Sequence, residues 1–203
     1  WIASDTIVGI QAEWVRPKVS KDDIAFLQYT SGSTKHPRGV RVRHANIFAN
    51  VRLLRKTFPL TPQDTTVSWL PLYHDMGLIG KVIGSLFCGS QCIQFPAKVF
   101  LMRPYRWLKL ISTFRARLTA APNFAYELCA RRITRAQKES IDLTSLEFAL
   151  NGAEPIRAAT LHRFADAFSE CGFRRGAIVP VYGLAEATLF VSANKSVDPA
   201  QLP

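Results

Sequence analysis

Hydrophobic and polar positions follow two periods along this chain, and the two periods alternate. Short apolar, β-branched runs that stop at polar residues, glycine or proline predict strands. These runs are residues 24–29, 40–43, 65–70, 91–95, 118–121, 146–150 and 177–181. Apolar residues at helical spacing, together with longer apolar stretches, predict helices at 45–58, 77–87, 104–114, 123–135 and from 155 onward. Strands that alternate with helices predict a layered α/β fold with largely parallel sheets and flanking helices.

The composition is that of an ordinary globular protein. The chain has 203 residues, 48% apolar and 20% charged, which is enough for one domain with its own core. Residues 1–20 show little periodicity, so we interpret them as a lead-in segment to a domain over residues 21–203. The longest apolar stretch, residues 76–95, is interrupted by Lys81, Gln91 and several glycines, so we expect no membrane span. Four scattered cysteines without zinc spacing fit reduced thiols and a cytoplasmic protein.

The formal net charge of +11 raises the question of nucleic-acid binding. The lysines and arginines are spread along the chain, and many lie on the polar faces of predicted helices, as Arg52, Arg55 and Lys56 do. Solvated helix faces explain this pattern, so we do not expect nucleic acid as a partner. A basic surface would still attract nucleotides or an acidic carrier protein.

The loop over residues 29–40 carries the clearest candidate chemistry. It reads Tyr-Thr-Ser-Gly-Ser-Thr-Lys-His-Pro-Arg-Gly-Val and places four serine and threonine hydroxyls, two glycines and two cations between predicted strands. Gly32 and Gly39 let the backbone approach a ligand, while the hydroxyls, the backbone N–H groups and the cations can bind phosphate oxygens. Pro37 and the apolar flanks disfavour a flexible linker, and a Walker loop would need glycine at that position. The loop therefore predicts a polyphosphate site.

Three later segments stand where predicted strands end, which is where α/β sheets bind ligands. Residues 68–80 contain His74 and Asp75 ahead of an apolar helix, and residues 151–155 read Asn-Gly-Ala-Glu-Pro. Residues 181–188 read Val-Tyr-Gly-Leu-Ala-Glu-Ala-Thr, in which an aromatic ring offers a stacking face and a carboxylate offers an oxygen ligand for Mg²⁺. From the residues alone, each segment also fits a structural role, such as a helix N-cap or a strand-to-helix turn.

Together these motifs resemble the signature sequences of the adenylate-forming, or AMP-binding, enzymes. The family loop, Y-T-S-G-[ST]-T-G-x-P-K-G, is matched here except that Lys35 replaces a glycine and Arg38 replaces a lysine. The family strings P-L-x-H and Y-G-x-[TS]-E also occur in order, with Ala185 in place of the hydroxyl residue of the second. The strings Leu-Tyr-His-Asp-Met-Gly-Leu-Ile-Gly, Gly-Ala-Glu-Pro and Tyr-Gly-Leu-Ala-Glu-Ala-Thr are similar to the fatty acyl-AMP ligase branch.

This resemblance implies a fold and a set of site residues. The chain would be the central part of the family's large N-terminal domain, with the small C-terminal subdomain absent. His74 would lie near the substrate carboxylate, Tyr182 would stack on the adenine, and Thr30 and Glu186 would bind Mg²⁺. The implied catalytic residues are therefore His74, Glu186 and Thr30. The implied nucleotide-binding residues are Thr30, Ser31, Gly32, Ser33, Thr34, Arg38, Gly39, Asn151, Gly152, Ala153, Glu154, Tyr182, Gly183 and Thr188.

The implied reaction is attack of a fatty acid carboxylate on the α-phosphate of ATP, with Mg²⁺, to give acyl-AMP and pyrophosphate. The acyl group would then pass to an acyl carrier protein or a polyketide synthase module. Two alternatives stay open: an acyl-CoA synthetase of the same fold, and a non-catalytic nucleotide-binding relative in which Lys35 and Ala185 are the altered positions. Residues 77–87 and 95–101 would wall an acyl tunnel or pack the core. The chain alone is expected to be inactive, since relatives carry a catalytic lysine in the C-terminal domain.

Overall fold

A computed structural model describes residues 15–30 and 38–194 of the chain. The strands are β1 (Ile24–Thr30), β2 (Arg38–Arg43), β3 (Thr65–Ser68), β4 (Gln91–Gln94), β5 (Leu118–Ala121), β6 (Phe148–Asn151), β7 (Ile178–Gly183) and β8 (Phe190–Ala193). The α-helices are α1 (His44–Thr57), α2 (Asp75–Gly77), α3 (Gly84–Cys88), α4 (Ala97–Met102), α5 (Tyr105–Thr113), α6 (Asn123–Arg132), α7 (Arg135–Lys138) and α8 (Ala158–Ala167). A π-helix, Leu78–Ile83, joins α2 to α3 without a break.

Six of the strands form the central sheet. Their order is β4-β3-β5-β6-β7-β8, parallel from β4 through β7, with β8 antiparallel at one edge. This arrangement confirms the predicted α/β fold with a largely parallel sheet. Because parallel strands end at the same edge of a sheet, the segments that follow β3, β6 and β7 meet there.

The remaining two strands form an antiparallel hairpin, which confirms the strands predicted on both sides of the hydroxyl-rich loop. Thr30 pairs with Arg38 across the hairpin, so the two ends of the loop lie side by side. Ser31, Gly32, Ser33 and Thr34 lie outside the described residues, as do Lys35 and Pro37. The hairpin leads directly from β2 into α1.

Several elements differ from the sequence prediction. The helix predicted over residues 123–135 ends at Arg132, and the separate short helix α7 follows it. The strand predicted over residues 65–70 ends at Ser68, because the Ser68 hydroxyl accepts a hydrogen bond from the Leu70 N–H at 3.2 Å and turns the chain. The helix predicted over residues 77–87 begins earlier, at Asp75, and widens into a π turn. Neither α4 nor β8 was predicted, since the first has only six residues and the second is recognisable only through its pairing with β7.

Two aromatic clusters pack in the core against the sheet. In one, the ring of Trp69 stacks on that of Phe100 with centroids 4.0 Å apart. In the other, Phe58 at the end of α1 meets Phe148 and Phe190 edge to face, at 5.4 and 5.9 Å. The contacts of Phe58 anchor the end of α1 to the sheet. Within the described ranges, no helix combines the length and apolarity that a bilayer crossing requires.

Candidate functional site

A cavity of about 740 Å³ opens at the carboxyl edge of the sheet, in the size range of small-molecule sites. The end of β1, the segment before α2, the turn after β6 and the segment after β7 all contribute to its lining. Residues named from the sequence are prominent among the lining side chains and backbone: Thr30, His74, Ala153, Tyr182, Gly183 and Glu186. Four distant parts of the chain therefore share one cavity, as the strand-end argument predicts.

A second cavity of about 700 Å³ shares Ala153, Tyr182 and Gly183 with the first. Glu154 lines this second cavity, and its Oε1 accepts a hydrogen bond from the Phe124 N–H at 2.6 Å. Tyr182 is 61% exposed and lines both cavities. Its ring is therefore available as a stacking face for a flat ligand.

Asn151 and Gly152 are buried behind these cavities rather than in their lining. Asn151 Nδ2 donates to Asn123 Oδ1 at 3.5 Å, while its Oδ1 has no partner among the described residues. A Cβ at position 152 would lie 2.7 Å from the Val181 carbonyl oxygen, so glycine allows the end of β6 to approach β7. The structure thus places both residues where they support the turn that presents Ala153.

Arg38, Gly39 and Thr188 also lie outside the cavity lining. Arg38 and Gly39 are exposed at the start of β2, next to the part of the loop that is not described. Thr188 is buried with a φ of +74°, and its N–H donates to the Ala185 carbonyl at 2.8 Å. A non-glycine residue rarely adopts this φ, and here it closes the turn that carries Glu186.

His74 stands at the N-terminal end of α2, with Asp75 beside it in the first turn. His74 Nδ1 lies 2.7 Å from Asp75 Oδ1, and the Met76 N–H donates to the same oxygen at 2.6 Å. The hydrogen bond to Asp75 raises the pKa of His74 above its usual range, while burial opposes this change. More of the imidazole is therefore cationic near neutral pH, which favours an anionic ligand in the cavity.

Asn50, which sequence analysis missed, fixes the segment that carries Glu186. Asn50 Nδ2 donates to the carbonyl oxygens of Ala187 at 3.2 Å and Phe190 at 3.0 Å, and Asn50 Oδ1 accepts from the Phe190 N–H at 3.0 Å. The sequence does carry a signal for this role, since Asn50 stands next to Val51 on the buried face of α1. A buried amide needs hydrogen-bond partners, so an asparagine at such a position indicates a polar contact with another segment.

Gly183 lets the same segment fold back on itself. A Cβ at position 183 would overlap the carbonyl oxygen of Leu189. That oxygen accepts a hydrogen bond from the Leu184 N–H at 2.9 Å. The absence of a side chain at this position therefore permits the tight turn between β7 and β8.

Gln28, a second residue that sequence analysis missed, connects the hairpin to the histidine segment. Its Nε2 donates to the Tyr73 carbonyl oxygen at 3.0 Å. Gln28, Tyr29 and Tyr73 line the cavity together with Thr30 and His74. This bond therefore holds two walls of the cavity against each other.

Among the residues that the structure describes, no group of three or more His, Cys, Asp or Glu side chains could hold a metal ion without further ligands. Thr30 and Glu186 both line the cavity and offer a hydroxyl and a carboxylate. Proteins commonly bind Mg²⁺ through one or two carboxylates together with substrate phosphates. This donor set fits a Mg²⁺ ion that is shared with a nucleotide.

The sequence model of the AMP-binding enzymes matches residues 4–203 of the chain. The chain belongs to the AMP-binding enzyme family. It is 47% identical over 181 residues to TtuA of Teredinibacter turnerae, named as a medium-chain-fatty-acid–[acyl-carrier-protein] ligase, over 89% of this chain and 28% of that protein. It is 42% identical over 203 residues to JamA of Moorena producens, which has the same description, over 100% of this chain and 34% of that protein.

A solved structure confirms the fold of this AMP-binding chain. The fatty acyl-adenylate ligase of Legionella pneumophila, in complex with acyl adenylate and pyrophosphate, matches with a TM-score of 0.87 and 46% identity, over 90% of this chain and 32% of that one. The motif resemblance to fatty acyl-AMP ligases is thereby confirmed. The chain spans about a third of the length of these relatives.

Proposed function

We propose that this AMP-binding chain is part of a fatty acyl-AMP ligase, which joins a fatty acid carboxylate to the α-phosphate of ATP and releases pyrophosphate. The observation that carries the proposal is the single cavity that gathers Thr30, His74, Tyr182 and Glu186. The names of TtuA and JamA and the acyl adenylate held by the Legionella pneumophila ligase support the choice of substrates.

The nucleotide would lie along the carboxyl edge of the sheet. The Tyr182 ring would stack on the adenine, with Ala153 and Glu154 at its border. Asn151 and Gly152 would support that turn from behind. The triphosphate would be held by the hydroxyls, glycines and Arg38 of the hairpin loop: Thr30, Ser31, Gly32, Ser33, Thr34, Arg38 and Gly39. Such a transfer depends on positioning and charge stabilisation more than on covalent help from the protein.

Thr30 and Glu186 would hold Mg²⁺ at the phosphate end of the cavity. When bound, the ion would offset negative charge on the phosphate oxygens during attack. Asn50 and the turn closed by Thr188 fix the backbone segment that carries Glu186, which would support this role.

The fatty acid would place its carboxylate beside His74. A cationic imidazole would attract and orient that carboxylate without giving up a proton. Apolar side chains line the same cavity and would take the acyl chain: Leu54, Met76, Leu189 and Phe190. Polar and apolar walls in one cavity suit a substrate with a charged head and an aliphatic tail.

An acyl carrier protein, free or within a polyketide synthase module, would receive the acyl group. The carrier-protein ligase names of TtuA and JamA support this partner, and the net charge of +11 would favour an acidic one. The thiols of Cys88, Cys92, Cys129 and Cys171 are free, which supports a reducing, cytoplasmic setting.

We also propose that residues 21–203 form part of an adenylation domain, that residues 1–20 lead into it, and that a C-terminal subdomain completes the enzyme. In this organisation the activity belongs to the complete protein. The 203-residue chain alone would turn over poorly or not at all.

ATP–pyrophosphate exchange by the complete natural protein, across a panel of carboxylic acids, tests the proposed reaction. Exchange that depends on a fatty acid is the expected result, and failure to form acyl-AMP from any carboxylic acid would favour a non-catalytic relative. A second assay offers carrier protein and CoA as acceptors in parallel. Efficient formation of acyl-CoA would contradict the carrier-protein assignment and identify an acyl-CoA synthetase.

A further inference from the structure

His74 Nδ1 has two polar neighbours, one of which requires a protonated Nδ1 and the other an unprotonated Nδ1. Asp75 Oδ1, at 2.7 Å, can only accept a proton, whereas the Met76 N–H, at 3.2 Å, can only donate one. The same Met76 N–H is closer to Asp75 Oδ1, at 2.6 Å. With the proton on Nδ1 the Met76 N–H can no longer donate to the imidazole, but it keeps its shorter hydrogen bond to Asp75 Oδ1, and a proton stands between the ring and the carboxylate.

The arrangement with the proton on Nδ1 satisfies all three groups. An unprotonated Nδ1 would direct its lone pair at a carboxylate oxygen 2.7 Å away, with no proton between them. With the proton on Nδ1, the imidazole and the Met76 N–H both donate to Asp75 Oδ1, at the distances of charge-assisted hydrogen bonds. His74 Nδ1 is then fully used within the protein.

The Asp75 carboxylate is itself held firmly. Its side chain is 11% exposed and lies in the first turn of α2, where the helix dipole favours negative charge. The backbone around it is fixed by hydrogen bonds from the His74 N–H to the Pro71 carbonyl at 3.2 Å and from the Gly77 N–H to the His74 carbonyl at 3.0 Å. A Cβ at position 77 would lie 2.9 Å from the Leu70 carbonyl oxygen, so this turn packs directly on the strand-end segment.

We propose that Asp75 is a positioning residue, which holds the His74 ring with a proton on Nδ1 and leaves Nε2 as the nitrogen that meets the substrate carboxylate. The tautomer follows from the contacts alone, while the carboxylate partner rests on the proposed ligase function. His74 is half exposed and lines the cavity, so Nε2 is the ring nitrogen open to a ligand. In the cationic ring Nε2 carries a proton that it donates to the incoming carboxylate as a hydrogen bond.

Other titratable groups share the cavity but, among the described residues, only Asp75 lies within hydrogen-bond distance of the His74 ring. Those other groups are Tyr29, Tyr73, Tyr182 and Glu186. The Asp75 carboxylate is therefore the group that sets the protonation of His74. Its removal should make the ring less cationic and free it to rotate.

Nitrogen NMR of the complete protein with ¹⁵N-labelled histidine reads the tautomer directly, and the resonances of His74 are identified by their loss in a His74→Gln variant. The neutral ring in the unsubstituted protein should carry its proton on Nδ1. In Asp75→Asn the pKa of His74 should fall and the usual mixture of tautomers should return. Asp166→Asn, which removes an exposed carboxylate paired with Arg175, is the control and should leave His74 unchanged. A neutral His74 with its proton on Nε2 in the unsubstituted protein would overturn the proposal.

Kinetics distinguish positioning from a purely structural role. In ATP–pyrophosphate exchange, Asp75→Asn should raise the KM for the fatty acid about tenfold and leave the KM for ATP nearly unchanged, as expected for one weakened charge-assisted hydrogen bond. In a His74→Ala background the same substitution should have no further effect, since Asp75 acts through His74. An equal loss in both backgrounds would contradict the positioning role. If no carboxylic acid supports exchange, the proposed function fails, and the NMR result still decides the tautomer.

Discussion

Asn50 of α1 and Phe190 of β8 exchange two hydrogen bonds although they are 140 residues apart. The amide nitrogen of Asn50 donates to the Phe190 carbonyl and its amide oxygen accepts from the Phe190 N–H, both at 3.0 Å. The side chain thus pairs with the backbone at the start of β8 as a neighbouring strand would. Because α1 follows the hairpin and β8 follows Glu186, this one contact holds two walls of the cavity together.

Asn50→Ala is expected to lower the free energy of unfolding by about 2 kcal/mol, because it leaves a buried N–H and buried carbonyls without partners. Urea denaturation of the complete protein measures this change, and ATP–pyrophosphate exchange should fall with it as Glu186 loses support. Arg52→Ala, on the exposed face of the same helix, is the control and should stay within about 0.5 kcal/mol. Equal stability of Asn50→Ala and the control would show that the contact contributes nothing.

Glu186→Gln is expected to raise the Mg²⁺ concentration needed for half-maximal exchange by about tenfold, since a neutral amide is a poorer ligand for a hard cation than a carboxylate. A magnesium titration of ATP–pyrophosphate exchange measures this shift. Glu170→Gln replaces an exposed glutamate outside the cavity and should leave the titration curve in place. An unchanged curve for Glu186→Gln would remove Glu186 from the metal site.

Gly183→Ala is expected to destabilise the protein by about 2 kcal/mol and to abolish most activity, because the new Cβ would overlap the Leu189 carbonyl oxygen and open the turn. Thermal denaturation and exchange measure the two effects. Gly176→Ala is the matched control, since a Cβ there meets nothing within 4 Å. Similar behaviour of the two variants would mean that the turn tolerates a side chain.

The buried amine of Lys81 should make the free energy of unfolding depend on pH. Burial lowers the pKa of its amine from 10.5 to about 7, with Cys92 opposing the shift. Between about pH 7 and 10.5 the unfolded chain binds more protons than the folded one, so this residue makes stability rise with pH across that window. Below about pH 7 the full cost of the buried charge is present.

Lys81→Met is therefore expected to stabilise the protein by about 3 kcal/mol at pH 7, and the gain should shrink as the pH rises toward 10. Denaturation of both proteins at pH 7 and at about pH 9.5 measures this difference. Lys98→Met, at an exposed position of α4, should give a small change that does not depend on pH. A stability gain of Lys81→Met that is the same at both pH values would rule out titration of the buried amine.

Most strands and most helices were predictable because each depends on a local pattern. The run over residues 118–121 is a strand with those bounds, and the helix predicted at 104–114 occupies Tyr105–Thr113. Element ends were less predictable, since a side chain such as the Ser68 hydroxyl decides where a strand stops. The short edge strand β8 depends on a partner that is distant from its own pattern.

The candidate site was predictable in its motifs and less so in its supports. Thr30, His74, Tyr182 and Glu186 stand out as unusual residues at strand ends, and the structure brings them to one cavity. Asn50 and Gln28 are ordinary polar residues in regular elements. Their roles arise only from the groups they meet across the fold.

By itself the sequence determined the alternation of strands and helices, the membership of the AMP-binding family and the residue types that bear the chemistry. These properties are encoded locally, in periodicity and in short motifs. Only the tertiary structure decided that the ends of β1, β3, β6 and β7 line one cavity, that Gly152 and Gly183 allow close backbone approach, and that Asn50 secures the Glu186 turn. Such contacts depend on how distant segments meet when the sheet forms, and no local pattern specifies that geometry.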